Sequence, residues 1–165
     1  MISHSIVKSL NYHAIVGLHS AAGLYRPCQV KVGKYEPPAF YRVEPLMDDF
    51  INMINVKWEN TKPTLLAALA LWKINEIHPF INGNGRTARA VCYFILCVRF
   101  GMELPGSQTV PELMGNEHRT KYQEALEAAD KGNLNEIHSC NVNDYHKFST
   151  CCNKTISHYH AYNLR

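Results

Sequence analysis

The run His78-Pro79-Phe80-Ile81-Asn82-Gly83-Asn84-Gly85-Arg86-Thr87-Ala88-Arg89 lies between two apolar stretches with helical spacing. Gly83 and Gly85 can take backbone conformations closed to other residues. A loop of this kind turns successive N–H groups inward and forms an anion-binding nest. The next helix is expected to begin at about Gly85. Its first N–H groups have no helical acceptor and sit at the positive end of the helix dipole, where phosphate is favoured. Arg86 and Arg89 are three apart, so both are expected on one face of the first turn. Arginine grips phosphate oxygens through paired hydrogen bonds. The loop reads as a polyphosphate site.

His78 ends the preceding helical run, and Pro79 helps to stop it. A neutral imidazole beside a bound phosphate can take the proton of an attacking hydroxyl. Asn82 places a side-chain oxygen between the histidine and the nest, where it can reach Mg²⁺ directly or through water, although a carboxylate is the better ligand. Each feature alone is ordinary loop chemistry. In this order they are hard to explain as packing, because two arginines at a glycine-rich helix start repel each other without an anion.

The run resembles the Fic family signature, His-Pro-Phe-x-(Asp/Glu/Asn)-Gly-Asn-Gly-Arg-x-x-Arg, at every specified position. The resemblance implies an all-α, Fic-type helical bundle with a small β-hairpin flap, residues 1–165 forming a single Fic domain. It implies transfer of AMP from ATP to a Ser, Thr or Tyr hydroxyl of a target protein, with release of diphosphate. By the same resemblance, His78 is the general base and Phe80 anchors the loop. Asn82 holds the metal position, Gly83, Asn84 and Gly85 cradle phosphates, and Arg86 and Arg89 grip the outer ones. Many members carry Asp or Glu where Asn82 stands, so the expected dependence leans towards Mn²⁺ or high Mg²⁺. Ala22-Gly23-Leu24-Tyr25-Arg26, Val30-Lys31-Val32-Gly33 and Pro37-Pro38 look like the family's flap, over about 24–42. There Val30, Lys31, Val32 and Gly33 would meet the target by strand addition. Tyr122 stacks on adenine or is a core residue, and Asp130 touches the ribose under the first of those readings. A family inhibitory helix, (Ser/Thr)-x-x-x-Glu-(Gly/Asn), has no good match: only Thr120 and Glu124 have the spacing, and Ala125 follows. The expected brake is a Glu that engages Arg89, supplied by a separate antitoxin or by an upstream segment. Two rivals stand beside AMP transfer. A Doc-like kinase carries Lys where Gly85 stands, and a catalytically silent binding module is suggested only by Asn82.

Composition narrows the classes. With 165 residues and 46% hydrophobic content, one domain with a real core is expected. A net charge of +3 with no basic cluster gives no argument for a nucleic-acid partner. No charge-free apolar stretch reaches membrane-spanning length, and the first residues lack a secretion signal. The cytoplasm is the expected compartment. Of the six cysteines, Cys92 and Cys97 read as buried thiols. Cys151 and Cys152, near His146, His158 and His160, fit no regular zinc spacing.

Outside the loop, Ile2, Ile6, Leu10, Ala14 and Leu18 predict a first amphipathic helix. Gln29 to Val32 alternate like a short strand, and Gly33-Lys34 can turn. Pro45 is expected to open a second helix, with Leu46, Phe50, Met53, Ile54 and Trp58 inward. Pro63 starts a third, apolar nearly all round and therefore central, and Gly101 stops the one after the loop. Residues 102 to 110 read as a loop, Glu117 to Lys131 as a helix ended by Gly132, and residues 134 to 165 as outer helices.

Overall fold

The computed structural model describes residues 1–33, 35–101 and 119–133, with side chains from residue 124 onward in the last segment. Five α-helices carry the fold among the described residues: α1 (His4–Ile15), α2 (Val43–Val56), α3 (Pro63–Ile77), α4 (Asn84–Phe100) and α5 (Arg119–Asp130). A 3₁₀ turn, Phe40–Arg42, leads into α2. The expected outer helices of 134–165, the loop of 102–110 and Cys140, Cys151 and Cys152 lie outside the described residues.

The central pair is α3 and α4. α1 packs on α4 and α2, while α2 and α5 pack on α3. Leu66, Ala67, Ala68, Ala70, Leu71 and Ile74 of α3 meet Ala88, Val91, Cys92, Ile95 and Leu96 of α4 in a fully buried seam. Three alanines on α3 let the two helices approach closely, because interaxial distance follows the size of the contacting side chains. Pro63 occupies the first turn of α3, where its missing N–H costs nothing. Gly101 ends α4 in the left-handed conformation with φ 69°. The short connection between these two buried helices, residues 78–83, is thus held from both ends by the core.

Three expectations change. The buried stripe of α1 is Val7, Asn11 and Ile15, one residue round from Ile6, Leu10 and Ala14; Leu18 lies beyond the helix and is exposed. A polar residue at the centre of that stripe hides it from a reading of apolar periodicity. α2 opens at Val43, so Pro45 sits inside its first turn, and Met47 takes an inward position beside Phe50 and Ile54. α4 opens at Asn84, with Gly83 as N-cap.

The β-hairpin expected over 24–42 is not seen as strands. Its described residues take part in two isolated antiparallel bridges: Tyr25 to Phe80 of the loop, and Val32 to Tyr35, closed by Val32 N–H to Tyr35 O at 3.0 Å and Tyr35 N–H to Val32 O at 2.9 Å around the Gly33 turn. Pro27, Pro37 and Pro38 flank that turn and supply no N–H for a longer ladder. The Gln29 side chain does part of the job, donating to Pro37 O at 2.9 Å and accepting from Phe40 N–H at 3.2 Å.

Cys92 is buried, Cys97 half-buried and Cys28 exposed, all as free thiols. Among the described residues no three His, Cys, Asp or Glu side chains cluster as metal ligands, and no helix is long and apolar enough to cross a membrane.

Candidate functional site

His78 caps α3 in the left-handed conformation, φ 52° and ψ 57°, and is the only non-glycine residue with positive φ among the described residues. Pro79 disfavours a further right-handed turn at position 78. The His78 N–H still donates to Ile74 O at 3.0 Å, so the residue stays fastened to the rigid end of α3. Nδ1 lies 3.4 Å from Asn75 O. That contact suits the tautomer with the proton on Nδ1, which leaves the lone pair on Nε2. Burial pushes the imidazole below its usual pKa; the Asn75 carbonyl opposes this, and the Arg26 guanidinium adds to it.

The loop that follows is folded by side chains. Phe80 is fully buried, with its ring 5.3 Å from that of Tyr25. The Asn84 side chain brackets Phe80, accepting from its N–H at 2.9 Å and donating to its carbonyl at 2.8 Å. Asn84 is therefore committed to shaping the loop, and only its backbone N–H remains for a ligand. Asn11, fully buried, ties the far end. Its Nδ2 donates to Asn82 O at 3.1 Å and to Thr87 Oγ1 at 3.0 Å, and its Oδ1 accepts from Gly23 N–H at 2.8 Å.

The two glycines play different parts. Gly83 has φ 78°, and a Cβ there would lie 2.5 Å from Ile15 Cγ2. Gly85 has ordinary helical backbone, contrary to the expectation of a special conformation. A Cβ on it would meet only Arg89 Nη1 at 3.4 Å and Asn75 Oδ1 at 3.9 Å. The first hydrogen bond of α4 runs from Thr87 N–H to Gly83 O at 2.8 Å. The N–H groups of Asn84, Gly85 and Arg86 precede that ladder and face outward at the positive end of the helix.

The arginines also separate. Arg86 donates to Ala14 O at 3.0 Å and lies 3.4 Å from Asn82 Oδ1. Arg89 makes no hydrogen bond or ion pair among the described residues and flanks Gly85 on the Asn75 side. Asn82 is exposed, and its Oδ1 accepts from Gly83 N–H at 2.7 Å. A carboxamide oxygen is a hard donor of the kind a divalent cation takes as one ligand among several, and here it would have to give up its long contact with Arg86 Nη2 to serve as one.

Beside the loop, His78 and Asn75 open onto a cavity of about 310 Å³ whose other walls include Val32, Tyr35, Trp72 and Asp130. That volume lies in the range of small-molecule sites. Asp130 accepts from Trp72 Nε1 at 2.9 Å, and Tyr35 donates to Glu76 O at 2.7 Å. Burial, with the Asp130 and Glu76 carboxylates, pushes the Tyr35 phenol up to about 12, so it stays a donor at neutral pH. Of the expected flap contacts, Val32 reaches this cavity. Lys31 and Gly33 are exposed and Val30 is half-buried. The Tyr122 side chain lies outside the described residues.

Four residues that shape the site escaped the sequence reading as site residues: Asn11, Arg26, Trp72 and Asn75. Arg26 is 2% exposed with no carboxylate partner among the described residues. In the sequence it stands within the stretch Ala22-Gly23-Leu24-Tyr25-Arg26 that resembles the flap, with no sign there of its reach to His78. Asn11 shares a helical register with Val7 and Ile15, a signal visible only once those two are taken as the stripe.

The helical bundle presents a half-buried imidazole beside a helix start without a side-chain cap and an arginine that makes no hydrogen bond or ion pair among the described residues, an arrangement suited to an anion with a base at hand. The chain belongs to the Fic/DOC family, whose model matches residues 2–96. The proteins named protein adenylyltransferase Fic from Drosophila willistoni and Aedes aegypti are each 34% identical to it over 113 residues, covering 68% of this chain and 21% of theirs. The chain thus spans about a fifth of the length of these relatives. Among solved structures, Fic-1 (residues 134–508) from C. elegans resembles it with a TM-score of 0.71 at 22% identity, covering 93% of this chain and 45% of that one. A Fic family protein from Desulfovibrio desulfuricans does so with a TM-score of 0.68 at 21% identity, covering 91% and 49%. These structural likenesses bear on the fold.

Proposed function

We propose that the chain is a protein adenylyltransferase, moving AMP from ATP to a hydroxyl side chain of a target protein. The observation that carries this reading is the pairing of the His78 imidazole, held at the end of a buried helix, with the free N–H groups of Asn84, Gly85 and Arg86. The relatives named protein adenylyltransferase support it.

In this reading the diphosphate portion of ATP rests on the start of α4, with Arg89 the cation beside it, and the nucleoside end enters the cavity lined by Trp72 and Asp130. Asn82 Oδ1, with phosphate oxygens, would hold a divalent cation, which supplies neutralisation of phosphate charge. The target hydroxyl is aligned near Val32. Its oxygen attacks the α-phosphorus, the bond from that phosphorus to the diphosphate oxygen breaks, and the hydroxyl proton passes to Nε2 of His78. Diphosphate leaves, its charge stabilised by the helix start and Arg89. Neutrality of His78 at pH 7, favoured by its burial, keeps the base ready.

The test is a pair of labelling reactions with lysate as target source. Label on the α-phosphate should enter protein, and label on the γ-phosphate should not. The reverse result would make the chain a kinase. His78→Ala should lower transfer by about 10³-fold or more, at the upper end of what a general base contributes, with ATP affinity within about threefold.

A further inference from the structure

Arg26 is a buried cation whose partners are all backbone carbonyls. Its Nε donates to His78 O at 2.8 Å, one terminal nitrogen to Cys28 O at 3.1 Å and the other to Pro38 O. Its own N–H donates to Pro79 O at 2.9 Å. One residue therefore holds two successive peptide units, His78–Pro79 through its side chain and Pro79–Phe80 through its backbone N–H, and joins them to two points of its own segment. The residue it grips is the only non-glycine with positive φ among the described residues. A left-handed backbone costs an L-residue about 1–2 kcal/mol and persists only where surrounding structure over-determines it. A planar guanidinium with five N–H donors is suited to fixing three carbonyls at once, which a single ammonium cannot do.

We propose that Arg26 is the positioning residue for His78: it stabilises the left-handed turn that aims the imidazole and couples that turn to the segment beside which the target hydroxyl is placed. The proposal rests on the reading of His78 as the base. Arg26 touches no reacting group; it acts through the His78 carbonyl. Misplacing a base by about 1 Å can cost on the order of 10²-fold in rate.

The test uses Arg26→Lys and Arg26→Gln in the full chain. Both should lower kcat by about 10²-fold while the KM for ATP stays within about threefold, because the helix start and Arg89 are untouched. A kcat within threefold of wild type in both variants, or a parallel loss of kcat and ATP binding, would overturn the proposal. A second measurement uses the melting midpoint alone. In a His78→Gly background the left-handed turn needs no support, so Arg26→Lys should lower the midpoint clearly less than it does in the wild-type chain. An equal drop, or unfolding even with glycine at 78, would mark Arg26 as a general structural residue and sink the idea. Should the wild-type chain transfer no AMP, the enzymatic reading fails, while the comparison of the two backgrounds still decides the link between Arg26 and position 78.

Discussion

The loop of residues 78–89 and the segment of residues 24–42 lie side by side, and they are built on opposite plans. Before α4 begins at Asn84 the loop has almost no regular ladder, yet buried residues hold nearly every turn of it: Arg26 at His78 through its side chain and at Pro79 through its N–H, Asn84 at Phe80, and Asn11 at Asn82 and at Thr87 in the first turn of α4. The segment keeps one short bridge within itself, at Val32 and Tyr35, and one to the loop, from Tyr25 to Phe80, and carries most of its side chains on the surface. Groups proposed to meet a phosphate are held by the core. Groups proposed to meet a protein target are left on an edge where side chains can vary without disturbing packing. Arg26 belongs to the segment by sequence and to the loop by function.

The comparison is tested most strongly at Gly83. Alanine there must adopt a left-handed backbone, at about 1–2 kcal/mol, and its Cβ would overlap Ile15 Cγ2, an overpacking cost of about 1–3 kcal/mol. Denaturant unfolding should register a loss of about 2–5 kcal/mol, the sum of those two costs. Gly85→Ala should do the opposite to stability, adding about 0.5–1 kcal/mol in ordinary helical backbone, while ATP affinity measured by calorimetry falls. If Gly85→Ala binds ATP as wild type does, the phosphates do not rest on this turn. If Gly83→Ala is as stable as wild type, the loop is less tightly held than described.

On the segment, Val32→Asp should change stability by no more than about 0.5 kcal/mol, as for a surface position free of special contacts, because Val32 is 40% exposed. The KM for the protein target should rise, with the KM for ATP moving less. A melting drop comparable to that of Gly83→Ala would erase the contrast between the two regions.

Much of this was legible in the sequence because the features are local. Helix punctuation at Pro63, Pro79 and Gly101, the all-round apolar character of α3, and the spacing of His78, Gly83, Gly85 and Arg89 each follow from a few neighbouring residues. What escaped depends on pairs far apart in the chain. Asn11 reaches Asn82 and Thr87, Arg26 reaches His78, and Trp72 reaches Asp130. No periodicity announces a buried polar residue whose partner is 50 or more positions away, as His78 is from Arg26, with a separation of 52. For the same reason the bonds of the Asn84 side chain to Phe80 and of the Arg86 side chain to Ala14 of α1 are not visible in the spacing of the motif.

The smallest expected effect separates the histidine at the loop from an ordinary surface histidine. An unperturbed imidazole titrates near 6.5, and burial holds His78 below that. The folded chain thus prefers the neutral ring, and below about pH 6.5 the unfolded chain binds the proton first. The stability linked to His78 is fully present above 6.5, is lost as pH falls from there to the folded value, and falls no further below it. For catalysis the sign is the same, since only the neutral ring can accept a proton. In the free enzyme the acid limb of kcat/KM should lie below pH 6.5, and the Cε1 proton of His78, followed by NMR without nucleotide, should titrate with the same midpoint. Arg26→Gln should move that midpoint upward, because it removes a positive charge that opposes protonation. A wild-type midpoint at or above 6.5 would mean that the ring is solvated, and with that the picture of a loop whose base is set by the core would give way.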